Sequence, residues 1–553
     1  MLTRALVVVS QILLAVALVI LVYYFVVYVV YAANLIRFPF DYDQGEGFEL
    51  VDAIMLAEFR WPYADIETYP FYGSIYPPLY HMLLVPFVWL FGPEYWYGRL
   101  FSFVTTLITA GAIGYAVYRE GVRGGRGHNR LVAVVALLAG LAFLASNIVY
   151  HIGPLLRQHI SMFMFETLAV VVLAHANEIE DRARRRRRFA LGLGLLIAGG
   201  YTKQLAAFTA IAALVFLLVR SPRRGLVWGA GFALVGAAIF AGLTLATGGH
   251  WWTQTIVANV KDFYPDQALG LLRLFIQLHW WLLIPAVLMV IYELYFARLS
   301  IYSLWFVAVT AFNAYAAGTW GAGDSYYATS VAAMCVLSGI FAARTLNQGW
   351  RFRPNYLSRV FIDPLRPAMP ALAAVGLVVI PLLYIGYGHS VLHMPTQGPV
   401  FEQIARVLDI RPNAQNGFYD SAGRVTGAYA DIGHLTTQAD IDAGNQIVEM
   451  IRALPEGVPV LSEEAGFPLA ARRDVVTNPV VLMILSWVGV FDGQELIAMI
   501  EEQAFGLVIL RAQFYPAGVL EAIGEHYQHQ QELRMNGFDY IILQPRQAAP
   551  AND

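Results

Sequence analysis

The chain has 553 residues, 58% of them hydrophobic and only 14% charged, with a mean hydropathy of +0.55. Soluble domains run nearer roughly 45–50% apolar and about 25% charged, so an ordinary soluble globule is excluded. The single cysteine, Cys335, excludes a disulfide scaffold, and a net charge of −3 offers nothing in favour of a nucleic-acid partner; none is expected.

Residues 5–31 form a predominantly apolar run that contains no charge. The run is far longer than the apolar core of a signal peptide and reads as an uncleaved anchor. Further apolar runs recur up to about residue 390 and suit transmembrane helices. Arg4 and the basic stretches 119–130, 181–188, 220–224 and 344–366 set the topology by the positive-inside rule. Placing them in the cytoplasm predicts about eleven crossings, near 5–31, 99–118, 131–150, 155–177, 189–201, 204–219, 225–246, 274–292, 299–317, 326–343 and 369–387. The shorter segment PPLYHMLLVPFVWLFG (77–92), with its internal Pro86, reads as a juxtamembrane or re-entrant helix.

The loop leaving the first run, FDYDQGEGFELVDA (40–53), carries Asp41, Asp43, Glu46, Glu49 and Asp52. It falls on the outer face. Acids keep such a loop out of lipid, and a solvated helix face accounts for Asp41, Glu49 and Asp52 without chemistry. Three other features face the same side. Only two basic residues are lysines, Lys203 and Lys261, and both fall at predicted outer ends. Lys203, in GGYTKQLA, sits at the tip of the helical pair 189–201 and 204–219, which is too short to reach the headgroups. A cation at membrane depth is costly unless it is paired or lines a polar cavity. In HIGPLLRQHISMFMFE (151–166), Arg157 suits bidentate phosphate binding and His159 can hydrogen-bond a substrate; pairing with a neighbouring acid is the competing role. GTWGAGDSYYATS (318–330) adds Asp324, Tyr326 and Tyr327; an aromatic belt explains the tyrosines but not Asp324.

From about Pro395 the composition changes. GVPVLSE (457–463), FGLVILR (505–511) and FDYIILQ (538–544) read as buried strands, and 445–454, 493–503 and 517–527 as amphipathic helices. The alternation predicts a small α/β domain with a parallel sheet. No glycine-rich phosphate loop follows these strands, so nucleotide binding is unsupported. The expected fold class is a polytopic α-helical membrane protein. Residues 1–390 form its membrane domain, with outer loops 32–98 and 247–273, and residues 391–553 an extracytoplasmic α/β domain. The N-terminus is expected in the cytoplasm and the protein in the plasma (inner) membrane.

With DYDQGEG, WPYAD, YPPLY (76–80), the Arg157 turn, GGYTK, TGGHWWTQTIVANVKDF (247–263) and GAGDSYY in this order, the first 390 residues resemble the GT-C superfamily of membrane glycosyltransferases. The resemblance is to the branch of the protein O-mannosyltransferases and the lipid A aminoarabinose transferase. Relatives often carry adjacent acids where this chain has Asp43-Gln-Gly-Glu46, and an aspartate where it has Arg157-Gln158-His159. The resemblance implies an inverting glycosyltransferase that moves a hexose or pentose from a polyprenyl-phosphate carrier to an acceptor hydroxyl on protein, lipid or glycan in the cell envelope. It implies Asp43, then Glu46, as the base, Lys203, Arg157 and Lys261 as ligands of the donor phosphate, and Tyr76, His159, Asp324 and Tyr326 as lining of the substrate cavity. It implies neither cofactor nor metal. Two readings compete: a transporter or flippase of lipid-linked sugars, and a membrane-anchored binding or assembly protein. Candidate charges confined to one face and the lack of a visible inverted repeat count against the former.

Overall fold

The computed structural model describes residues 2–123, 129–150, 152–391, 403 and 435–546. The centre of the basic loop 119–130 and the expected change of domain near 395 lie outside the described residues. Every segment expected as a crossing is helical, as lipid requires of a backbone that must satisfy its own hydrogen bonds. Among the described residues, seven helices are long and apolar enough to cross a bilayer: Ala5–Arg37, Tyr95–Val122, Gln158–Glu178, Pro222–Ala246, Pro265–Tyr295, Asp324–Leu346 and Ser358–Ser390. Asn129–Ala145, Gln204–Arg220, Ile301–Ala316 and Leu79–Phe91 are apolar but shorter. The arginine run at 181–188 is helical, because Asp181 caps the helix Arg182–Thr202 by accepting from the Arg184 N–H.

Small residues set the spacing of the bundle. The helix Ala328–Leu346, rich in alanine, serine and glycine, is buried along almost its whole length against α4 (Tyr95–Val122), α5 (Asn129–Ala145) and Pro265–Tyr295. Gly140 of α5 lies so close to α4 that an added methyl would sit 2.7 Å from the Ala110 carbonyl oxygen.

The chain leaves α1 (Leu2–Arg37) under the control of one residue of α4. Arg99, fully buried, donates to the carbonyls of Leu35 (2.7 Å), Phe38 (2.5 Å) and Phe40 (2.6 Å). Leu35 lies in the last turn of α1, where carbonyls lack their usual i+4 partners, and Phe38 and Phe40 lie in the loop just beyond it. The loop then turns at Gly45, whose φ of +98° lies in the left-handed region, and enters α2 (Glu46–Ala57). A further loop leads to α3 (Leu79–Phe91), with Pro86 inside it.

Residues 435–546 form a four-stranded sheet in the order β1-β2-β4-β3, flanked by helices that include Gln438–Arg452, Pro479–Trp487, Gln494–Glu501 and Ala517–His526. The expected all-parallel sheet is corrected. β1 (Val460–Ser462) and β2 (Leu507–Leu510) are parallel, but β4 (Phe538–Pro545) is antiparallel to β2 and to β3 (Tyr527–Met535). β3 was not expected, because YQHQQELRM is a polar strand buried only at its two ends. An Asn536-Gly537 turn, with φ of 55° and 81°, joins it to β4 as a tight hairpin. This domain, called the outer domain after its expected placement, packs on the end of α1 and the loop that precedes α3. Asn34 exchanges hydrogen bonds with the Thr436 backbone, Thr477 bridges to Phe71, and the Asn478 amide donates to Gly73 O at 3.1 Å.

Candidate functional site

The five loop carboxylates are all buried, which overturns the solvated face expected for Asp41, Glu49 and Asp52. The outer domain and α3 cover them, and each accepts from specific donors, although one oxygen of Asp43 is left unengaged. Asp41 accepts from the N–H of Gly47 (2.6 Å), the Tyr95 hydroxyl (2.8 Å) and the N–H of Gly466 (2.9 Å). Glu46 is the most completely engaged. Arg99 donates to both its oxygens, at 3.0 and 2.8 Å, and the N–H groups of Leu156 (2.6 Å), Tyr42 (3.0 Å) and Asp43 (3.3 Å) add to the set. Burial disfavours ionisation of Glu46, but the charge and hydrogen bonds of Arg99 outweigh it and hold the carboxyl below its ordinary range.

Asp43 differs. Arg157 donates to its Oδ2 from Nε (2.8 Å) and Nη2 (2.6 Å), and also binds the Gln44 carbonyl. Oδ1 is buried and has no partner among the described residues. Burial pushes the Asp43 carboxyl up, with Arg157 and Arg511 opposing it and Glu46 adding to the push. Gly45 permits the close approach of Arg157: a methyl there would meet Nη1 at 2.9 Å.

Behind this pair lies a second group. His81 of α3 donates to Glu49 at 2.5 Å and lies 3.6 Å from Asp52, which accepts from Ser74 (2.5 Å) and Tyr72 (2.8 Å). Glu49 also faces Arg157 at 3.6 Å. Burial raises Asp52 to about 6 against the neighbouring His81.

Lys203 stands at the break between Arg182–Thr202 and the next helix, buried as the shortness of the pair suggests. It donates to His159 Nε2, with its ammonium 5.0 Å from the centre of the Tyr76 ring and 5.5 Å from that of Tyr326. Cation–π contact of this kind suits a desolvated lysine. The structure thus gathers Lys203, His159, Tyr76 and Tyr326 into one cage, and Glu49, Arg157 and Lys261 act on Lys203 electrostatically. Lys261 lies 5.6 Å over Trp320, and burial lowers it to about 8. Asp324 opens the short helical turn that carries Tyr326, and its Oδ2 has no partner among the described residues. Among those residues no group of three or more His, Cys, Asp or Glu is arranged to hold a metal.

Several residues at this site escape sequence reasoning. Arg99 opens a segment that reads as a membrane helix, and His81 lies in the apolar segment that reads as a juxtamembrane or re-entrant one. Gly466 and Asn536 come from the outer domain, more than 400 residues from Asp41 and Tyr42, with no local signal to connect them.

No protein-family model matches the sequence, and no curated protein matches it either. Solved structures do match its fold. ArnT from Cupriavidus metallidurans in the apo state aligns with a TM-score of 0.56 at 12% identity, over 96% of this chain and 97% of that one. The same protein bound to undecaprenyl phosphate aligns at 0.57 and 14%, with the same coverage. The archaeal oligosaccharyltransferase AglB from Archaeoglobus fulgidus, in complex with an inhibitory peptide and a dolichol-phosphate, aligns at 0.44 and 11%, over 96% of this chain and 75% of that one. ArnT is thus similar in fold across both the helical bundle and the outer domain.

Proposed function

We propose that the protein is an inverting glycosyltransferase that takes its sugar from a polyprenyl phosphate at the outer membrane face. The observation that carries this reading is the pairing of Asp43 with Arg157 beside the caged Lys203. A carboxylate with one oxygen to spare is held by Arg157, and Arg157 in turn acts electrostatically on Lys203. ArnT, similar in fold, has been captured with undecaprenyl phosphate, which supports a lipid-phosphate donor here as well.

In this mechanism Asp43 Oδ1 takes the proton of an acceptor hydroxyl. The hydroxyl oxygen forms a bond to the anomeric carbon as the bond from that carbon to the phosphate oxygen breaks, with inversion, and polyprenyl phosphate leaves. Lys203 and Lys261 hold the phosphate and stabilise the charge that develops on it. Arg157 keeps Asp43 oriented while presenting Nη1 to the same space. Tyr76, Tyr326 and His159 hold the Lys203 ammonium away from water, which strengthens its attraction for an anion. Asp324 completes the cavity. Glu46 is the scaffold of the loop and leaves the base role to Asp43. The sugar is a hexose or pentose, and the acceptor a protein, lipid or glycan of the envelope.

Native mass spectrometry of the purified protein with undecaprenyl phosphate tests the reading. Saturable binding is expected, weakened about tenfold in Lys203→Ala, as fits the loss of one charge-assisted contact of roughly 1.5 kcal/mol. Binding indifferent to Lys203 would move the weight to the transporter and scaffold readings.

A further inference from the structure

Behind the Asp43–Arg157 pair, α2 carries three carboxylates at intervals of three residues, Glu46, Glu49 and Asp52, and that spacing turns them toward one side of the helix. Glu46 is taken up by Arg99, and Asp52 by Ser74 and Tyr72. Glu49 stands between them and has no part in the mechanism above. Its Oε2 meets His81 Nε2 at 2.5 Å, and its Oε1 lies 3.6 Å from Arg157 Nη1. The Gln158 amide, turned so that its nitrogen donates, reaches Oε2 at 3.2 Å and Oε1 at 2.8 Å. The His81 and Glu49 side chains are both buried, and the imidazole acts through Nε2, since its Nδ1 has no partner among the described residues.

An arginine that meets a carboxylate frequently binds it fork to fork, one nitrogen on each oxygen. Arg157 does not bind Asp43 in this way. Nε and Nη2 both donate to Oδ2, at 2.8 and 2.6 Å, and Oδ1 has no partner among the described residues. Nη1 faces Glu49 instead. We propose that Glu49, held at its other oxygen by His81, is a positioning residue that draws Nη1 of Arg157 aside and so keeps Asp43 Oδ1 open for the proton of a substrate. This rests on the reading of Asp43 as the base. Without the Glu49 carboxylate nothing on that side opposes the fork-to-fork arrangement. The guanidinium would then swing onto both oxygens of Asp43 and close the base. The planar fork makes the choice a sharp one, because turning it moves all its donors together.

Infrared difference spectra of the full-length protein in nanodiscs read this directly, with the Asp43 carboxylate bands assigned by their loss in Asp43→Asn. They are taken at alkaline pH, so that the carboxyl, which burial pushes up, is ionised. The gap between the antisymmetric and symmetric stretches is wide when one oxygen takes the hydrogen bonds and narrows when both share them. Wild type should show the wide gap. Glu49→Gln, with Asp43→Asn made in the same background for assignment, should narrow it. His81→Leu should narrow it too, and His81→Gln, which keeps a donor near the place of Nε2, should stay near wild type. A merely structural role would lower the unfolding temperature of these variants without moving the gap. An unchanged gap in Glu49→Gln overturns the proposal. If that variant fails to fold, the two His81 variants decide, and equal gaps in them overturn it. The base reading fails separately, if Asp43→Asn transfers sugar at the wild-type rate, and the infrared result would stand regardless.

Discussion

Two carboxylate–arginine pairs sit three residues apart on one loop and have taken opposite parts. Glu46–Arg99 is sealed: neither side chain is exposed, the arginine also ties down three backbone carbonyls, and the carboxylate accepts from three N–H groups besides. Asp43–Arg157 is partly open, with 12% of the arginine side chain exposed and one carboxylate oxygen unengaged. The chemistry of the two pairs is the same. What separates scaffold from site is the number of lone pairs left over once the fold has been satisfied.

Substitution should separate the two pairs cleanly. Asp43→Asn is expected to cut transfer by about 10²–10⁴-fold, the usual contribution of a general base, while the thermal unfolding profile stays near wild type. Arg99→Leu should act on folding instead. Leaving Glu46 buried and unpaired costs about 3–5 kcal/mol, read as lost yield and a lowered Tm. A well-folded Arg99→Leu protein, or an unstable Asp43→Asn one, would reverse the assignment of the two pairs. A smaller effect is expected where the pairs meet. Gly45→Ala forces a side chain into the left-handed region and against Arg157, at about 1–2 kcal/mol from the backbone alone, and should impair transfer more than its loss of stability explains. The mildest change concerns the cations. Burial lowers Lys261 to about 8, so its charge is present below that pH and fades above it. Affinity for undecaprenyl phosphate should fall as pH rises through about 8, and Lys261→Arg should move that fall to higher pH, as titration calorimetry can follow.

The cage around Lys203 was legible because a cation in an apolar stretch is anomalous whatever surrounds it, and its partners Tyr76, His159 and Tyr326 lay in segments of the same predicted face. Arg99 was not legible for a related reason. Standing at the mouth of a membrane helix among Tyr95, Trp96 and Tyr97, it passes for an interfacial anchor, and only the fold shows it turned inward. Asp41, Glu49 and Asp52 misled because charge density usually marks solvent, and nothing nearby announces the domain that covers them. β3 was hidden by its polarity, although the Asn536-Gly537 pair ahead of a β-rich run is a strong local signal for a hairpin. The helical pattern of the membrane half survives because lipid allows a backbone few alternatives.

The contact between Asn536 and Tyr42 joins positions 494 residues apart in the chain. A ribosome adding roughly 5–20 residues per second needs on the order of tens of seconds to cover that interval. Throughout it the acid loop is already outside the first helix without the hairpin that holds it. The chain is thus assembled with this loop unclasped, and the contact forms only when nearly the last of its strands has been made.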